Sequence, residues 1–379
     1  MPGLLPNVDP DGLLEFSVVY TDRALNHMSR RFQGVMRDIT ALLQEVYGAH
    51  ATAIVPGSGS FGMESVARQF AGERDVMVLR NGFFSYRWSQ ILEQGRITAP
   101  ERITVIKARR TGDGPQAPWV PAPIAEVEAA IARVKPAVVF APHVETAAGI
   151  VLPDDYMRRV AAAVHAVKGL FVLDCVASGA LWVDMRTVDA DVLITAPQKC
   201  WSSPPCSALI GFSERGLAAL EQTTNSSFAA DLKRWRGIMQ AYEKGGHAYH
   251  ATMPTTALEV LRDTMLETRA RGFDTVRAQQ IELGQKVRAL LEGRGLPSVA
   301  AEGYKAAGVV VSYTTDPDMQ SGKAFVAAGV QAASGVPLMC DEPADFRTFR
   351  LGLFGLDKWA NVDRAVGQLA AALDQIGVK

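Results

Sequence analysis

The chain has 379 residues, with 39 Lys and Arg against 40 Asp and Glu, and 48% of it is apolar. This is an ordinary globular composition with enough chain for two or three domains and a sizeable core. A net charge of −1 excludes a general nucleic-acid binder with a basic stripe, and no run of about 18 apolar residues is present to span a membrane.

The opening, MPGLLPNVDPDG, has no basic start and no long apolar run, so it does not read as a secretory signal. No internal repeat and no low-complexity tract interrupts the chain. Short apolar runs recur: ATAIVPG from Ala51, DVMVLRNG from Asp75, RITVIKA from Arg102, AVVFAPH from Ala137, GLFVLDC from Gly169, ADVLITAP from Ala190 and SALIGF from Ser207. Such runs suit strands buried on both faces. Helical patterns alternate with them, as in MESVARQFAG from Met63, IAEVEAAIARV from Ile124 and YMRRVAAAVHAV from Tyr156. Alternation of this kind predicts an α/β domain with a mostly parallel seven-stranded sheet flanked by helices. ADVLITAP and SALIGF lie too close for a helical crossover, so that pair is expected to be antiparallel.

Beyond Ser213 the pattern becomes helical, through FAADLKRWRGIMQAYEKG, then TALEVLRDTMLETRARG, then a continuation from Phe273 to Leu291. Strand GVVVSYT from Gly308, helix GKAFVAAG from Gly322, strand TFRLGLFG from Thr348 and helix NVDRAVGQLAAALDQIG from Asn361 follow. The expected division is an N-terminal arm over 1–30, a large domain over 31–270 and a smaller α+β domain over 271–379.

Four features carry chemistry, three of them at the C-terminal ends of predicted strands, where an open α/β sheet binds its ligand. GSGSFG, Gly57 to Gly62, lies between a strand and a helix and suits a phosphate. As a GxGxxG it would also suit a dinucleotide, but the next strand ends Leu79-Arg80-Asn81-Gly82 with no acid for a ribose. Asp174, directly after LFVL, needs a partner: a protonated ring nitrogen, a helix N-terminus or an Arg. Lys199, in ITAPQKCW, can serve as a nucleophilic amine if its surroundings lower its pKa. Arg350, in RTFRLGLFG, suits a carboxylate, with Arg347 as competitor. Taken singly, each has an ordinary reading as turn, cap or surface charge.

Among the histidines, His143 is expected to line the crevice beside Glu145. The others show no metal spacing, and GSGSFG lacks the GxSxG frame of a serine hydrolase. Cys175, Cys200, Cys206 and Cys340 are too few for a disulfide scaffold and lack CxxC spacing, which suits a reducing cytoplasm without structural zinc.

A phosphate cradle, an acid for a ring nitrogen, a Lys for an aldehyde and an Arg for a carboxylate are together the requirements of pyridoxal phosphate. FVLDCVASGALWVDM and DVLITAPQKCWSSPPCSALIGFS resemble the class V aminotransferases of pyridoxal-phosphate fold type I, most closely the alanine–glyoxylate and serine–pyruvate group. The resemblance runs from about Ala51 to Gly355. It implies that Lys199 forms the Schiff base, Asp174 partners the pyridinium nitrogen, and Val176 packs on one ring face. It implies that Ser58, Gly59, Ser60 and Gln198 hold the phosphate, that Phe84 stacks where the family often has Trp, and that Thr146 meets the ring oxygen. Arg350 would bind the substrate carboxylate. Tyr249 and Thr252 would reach the phosphate of a neighbouring subunit, which implies a homodimer with shared sites.

The implied reaction is ping-pong transfer of an amino group from alanine, serine or a similar donor to glyoxylate or pyruvate. Two departures fall where a donor side chain would sit: PNVDPDG with Asn26-His27-Met28-Ser29 replaces the family's usual arm, and TAAG replaces TSTG. The rivals are a pyridoxal-phosphate lyase, a desulfurase with Cys340 as its nucleophile, a nicotinamide oxidoreductase, and a non-catalytic pyridoxal-phosphate protein.

Overall fold

The computed structural model describes residue 11 and residues 13–378. Apart from Asp11, the opening MPGLLPNVDPDG lies outside the described residues.

All seven apolar runs form strands of one sheet: β1 (Ala51–Pro56), β2 (Val76–Arg80), β3 (Ile103–Lys107), β4 (Val138–Pro142), β5 (Leu170–Asp174), β6 (Val192–Thr195) and β7 (Ser207–Phe212). Their order across the sheet is β1-β7-β6-β5-β4-β2-β3. Only β7 runs against the rest, pairing antiparallel with both β6 and β1, as the short connection requires. The strands β2, β4, β5, β6 and β7 are buried along their whole length. Helices therefore cover both faces, which explains why the runs do not alternate with polar residues.

The helices are amphipathic in the expected way. α1 (Arg30–Tyr47) begins at Ser29, whose side chain caps Phe32 N, and buries Phe32, Val35, Met36, Ile39 and Leu43. α2 (Gly59–Phe70) begins four residues before the expected Met63, at the second glycine of GSGSFG. Gly62 lets it press on the sheet, because a Cβ there would meet Ala208 Cβ at 2.4 Å. α3 (Phe83–Gln94) follows β2.

The expected single helix across Gly272 is two. Thr255–Arg271 ends and Phe273–Gly293 begins at Gly272, whose φ of +88° no helix can continue through. The helix expected from Gly322 is Lys323–Ala327, and a further short helix, Pro317–Ser321, precedes it.

A second, three-stranded sheet has β8 (Val309–Tyr313), β9 (Ala333–Ser334) and β10 (Thr348–Gly352), with β10 central and Arg350 opposite both Val311 and Ala333. This sheet packs on the strand-end loops of the large sheet: Val309, Val311 and Tyr313 share a buried cluster with Val144, Ala147, Ala148 and Ala177. Trp119 Nε1 donates to Tyr313 Oη at 3.1 Å, which in turn donates to Ala117 O at 2.8 Å. These contacts bring β10 over the large sheet's C-terminal edge. Among the described residues, no helix is long and apolar enough to cross a membrane.

Candidate active site

The turn after β1 builds the cradle. Gly57 has φ +123° and donates to Cys206 O at 3.0 Å. Ser58 is the N-cap of α2, yet its hydroxyl makes no capping bond, and no acid lies in the first turn. The free N–H groups and positive dipole end of α2 therefore face the cleft, a setting made for an anion. Gly59 is required by close approach, because a Cβ there would strike Val176 Cγ2 at 2.7 Å.

Asp174 ends β5 at 8% exposure and accepts from Val176 N at 2.9 Å. Burial pushes its pKa up to about 6, against the opposing pull of Val176 N and Lys199. Lys199 lies in the short helical turn Pro197–Cys200 after β6. Its Nζ stands 5.8 Å from the centre of the Phe84 ring and 5.9 Å from that of Phe354. Burial lowers the pKa of its amine; Asp174 opposes this, while Arg350 and Arg87 add to it. The result is an amine that releases its proton more readily than a surface lysine. Beside it, Gln198 Oε1 is buried with no hydrogen-bond partner.

Phe84 is positioned by Glu145. This fully buried carboxylate accepts from Phe84 N at 3.1 Å, Ser85 N at 2.9 Å, Ser85 Oγ at 2.6 Å and Ala147 N at 2.9 Å. It thereby holds the first turn of α3 against the end of β4. Arg350 enters from the smaller sheet, where its Nε donates to Ser334 O at 2.8 Å and its Cζ stands 5.2 Å from the Phe84 ring centre. Its competitor Arg347 is exposed.

One cleft of about 110 Å³ is lined by Ser58, Gly59, Ser60, Phe84, Thr146, Asp174, Val176, Gln198 and Lys199. The structure thus gathers nine expected residues on one space, with Arg350 at the Phe84 ring. Tyr249 and Thr252 lie elsewhere, hydrogen-bonded to each other at 3.1 Å, with Tyr249 53% exposed and 5.6 Å from the His27 ring.

His143 departs from expectation. Its ring turns away from this cleft, to Ser178 Oγ at 2.7 Å, and lines a separate cavity of about 390 Å³ with Trp182, Asp184 and Arg277. That cavity is the larger, but it holds no amine beside an acid at a strand end. Burial and Arg277 lower the His143 pKa to about 3, which keeps the imidazole neutral. Cys340, the candidate desulfurase nucleophile, is buried against Arg80 O at 3.4 Å, and burial lifts its thiol to about 12. Such a thiol is not ionised at neutral pH.

Sequence reasoning missed Arg87 and the role of Glu145. Arg87 lines the cleft, and its Nη1 donates to Ser60 Oγ at 2.8 Å. The available signal was spacing, since Arg87 lies three residues past Phe84, one turn along the same helix face.

Two features fit pyridoxal phosphate: the uncapped start of α2 packed through Gly59 on Val176, and the buried amine–carboxylate pair. Comparison with known proteins agrees. No family model matches the chain. Mouse alanine–glyoxylate aminotransferase is 24% identical over 368 residues, spanning 93% of this chain and 82% of that protein. L-aspartate–glyoxylate aminotransferase of Paracoccus denitrificans is 27% identical over 248 residues, spanning 64% of this chain and 58% of that protein. The solved structure of ureidoglycine–glyoxylate aminotransferase from Bacillus subtilis shares the fold with a TM-score of 0.77 at 21% identity, over 96% of this chain and 89% of that one. These comparisons support a likeness to the class V aminotransferases that extends over most of the chain. Its fold is pyridoxal-phosphate fold type I, and the aminotransferase relatives and structure neighbours support a pyridoxal-phosphate-dependent transaminase.

Proposed function

We propose that this chain is a class V aminotransferase that moves an amino group from a small amino acid, such as alanine or serine, to glyoxylate or pyruvate in two half-reactions. The observation that carries the reading is the meeting of Lys199 and Asp174 in a cleft walled by α2's free N-terminus and overlooked by Arg350. The mouse relative's name, alanine–glyoxylate aminotransferase, supports the pairing of a small donor with a small acceptor.

Pyridoxal phosphate, when bound, supplies an aldehyde for the amino group and a ring that draws electrons from the donor's Cα. The first-turn N–H groups of Gly59 and Ser60, the Ser58 hydroxyl and Gln198 hold its phosphate. Phe84 and Val176 would pack on its ring, and the Thr146 hydroxyl would meet its ring oxygen. Asp174 keeps the ring nitrogen protonated, because a buried carboxylate gains most from a cation at its side. The Lys199 amine, its pKa lowered by burial, would take the proton from the donor's Cα and give it up at the carbon that the aldehyde supplied, as amino transfer requires. Arg350 grips the donor carboxylate with its planar fork.

Tyr249 and Thr252 complete the site of a second copy in a homodimer. Their exposure on the same chain as exposed Leu13, Leu14, Phe16 and Val18 supports this. Four buried free thiols suit the cytoplasm. The buried, hydrogen-bonded Cys340 argues against a desulfurase.

The test is Lys199→Ala with a donor panel against glyoxylate and pyruvate. The wild type is expected to turn yellow with pyridoxal phosphate and to exchange amino groups, and the variant to do neither. A variant that keeps both sinks the assignment of Lys199. A yellow wild type that exchanges nothing sinks the transaminase reading.

A further inference from the structure

Arg87 has no role in the reaction described above, yet it adds a cation to a cleft whose lining carboxylate is Asp174. Its side chain leaves α3 for the first turn of α2, where Nη1 donates to Ser60 Oγ at 2.8 Å. Its Cζ lies 5.2 Å from the Phe84 ring centre, the ring that Arg350 also approaches at 5.2 Å and Lys199 Nζ at 5.8 Å. Three cations thus border one aromatic side chain. The positive dipole end of α2 opens on the same space and carries no acid in its first turn. Among the described residues, no carboxylate forms an ion pair with Arg87, and Glu145 is engaged by the backbone of α3.

Three cations and a helix N-terminus against one lining carboxylate, Asp174, leave positive charge to spare, which an anion offsets. The hydrogen bond to Ser60 says at which end that anion sits: at the start of α2, not at the strand that holds Arg350. With Nη1 on Ser60, the guanidinium keeps Nε and Nη2 for oxygens, the forked arrangement that suits a phosphate.

We infer that Arg87 binds the ester phosphate of the cofactor directly and makes the cleft discriminate the phosphorylated from the unphosphorylated vitamer. This rests on the cofactor reading above. The cradle then has a fixed cation as well as neutral N–H and hydroxyl donors.

The test compares equilibrium binding of pyridoxal 5'-phosphate and of pyridoxal, followed by absorbance, to the full-length cofactor-free wild type, Arg87→Gln and Arg87→Lys. For Arg87→Gln, affinity for the phosphorylated form is expected to fall roughly 10- to 100-fold, the worth of a charged hydrogen bond. Affinity for pyridoxal should stay within about twofold, and Arg87→Lys should recover part of the loss. Equal weakening of both vitamers, or of neither, overturns the inference and makes Arg87 a structural residue. An unchanged vitamer ratio with a donor KM raised more than about tenfold also overturns it, because Arg87 then serves the substrate. If Arg87→Gln does not fold, Arg87→Lys decides: a vitamer ratio equal to that of the wild type overturns the inference. A wild type that binds neither form fails the cofactor reading as well, and so separates the two failures.

Discussion

Glu145 and Asp174 are buried carboxylates on adjoining segments, linked where His143 N donates to Asp174 O at 2.8 Å. Glu145 accepts from three backbone N–H groups and one hydroxyl, so its lone pairs are used within the protein. Asp174 accepts from the single N–H of Val176 and has its pKa raised to about 6. The same group in similar burial is thus a structural clasp in one place and an underused charge in the other. Burial alone does not mark a functional acid; burial without enough donors does.

The sharpest way to break this contrast is to remove each acid. Asp174→Ala should lower amino transfer roughly 10²- to 10⁴-fold, the range of a group that sets a protonation state, while the cofactor-free variant melts no lower than wild type. Steady-state turnover and a thermal scan check the two halves. Glu145→Ala should do the reverse to stability, costing roughly 3 kcal/mol in urea unfolding, because buried donors lose their acceptor.

A smaller effect sharpens the comparison through pH. The Asp174 pKa rises from 3.8 to about 6 on folding. In the cofactor-free protein, its contribution to stability is therefore full below about pH 3.8 and is lost as pH climbs through 6. Cofactor-free Asp174→Asn should thus be more stable than wild type by up to roughly 3 kcal/mol at pH 8, with the gain vanishing near pH 4. A constant gain across that range would refute the ionisation argument. His143 carries the opposite sign, since its pKa falls from 6.5 to about 3. Its stabilisation is present above pH 6.5 and is lost as acid is added. His143→Gln should flatten the fall in wild-type stability between pH 7 and pH 5, by roughly 2 kcal/mol at most. Parallel pH curves for the two proteins would contradict that.

These contrasts also show what a sequence can and cannot reveal. The seven strands were legible because a sheet covered on both faces writes itself as LFVL or VLIT without interruption. Asp174 and Lys199 were legible because polar residues straight after such runs are conspicuous. The break at Gly272 was not, because a single glycine inside helical periodicity does not announce a positive φ. Arg87 and Glu145 were missed for a shared reason: their partners, Ser60 and Ser85, lie 27 and 60 residues away. Only the packed chain brings those pairs together. His143 was misplaced because a residue's neighbour in sequence, here Glu145, says nothing about which side of a strand end its ring will take.

The bond from Gly57 N to Cys206 O bridges the turn that starts α2 and the stretch following Lys199. It exists only once β1 has found β7, in the register Pro56 to Ser207. Pairings that span so much chain form late and slowly. Ligand affinity should therefore emerge at the end of refolding, after most helical signal has returned. During synthesis, β1 must stay unpaired until the antiparallel strand has been made, which leaves a window in which a chaperone or an aggregate can claim it.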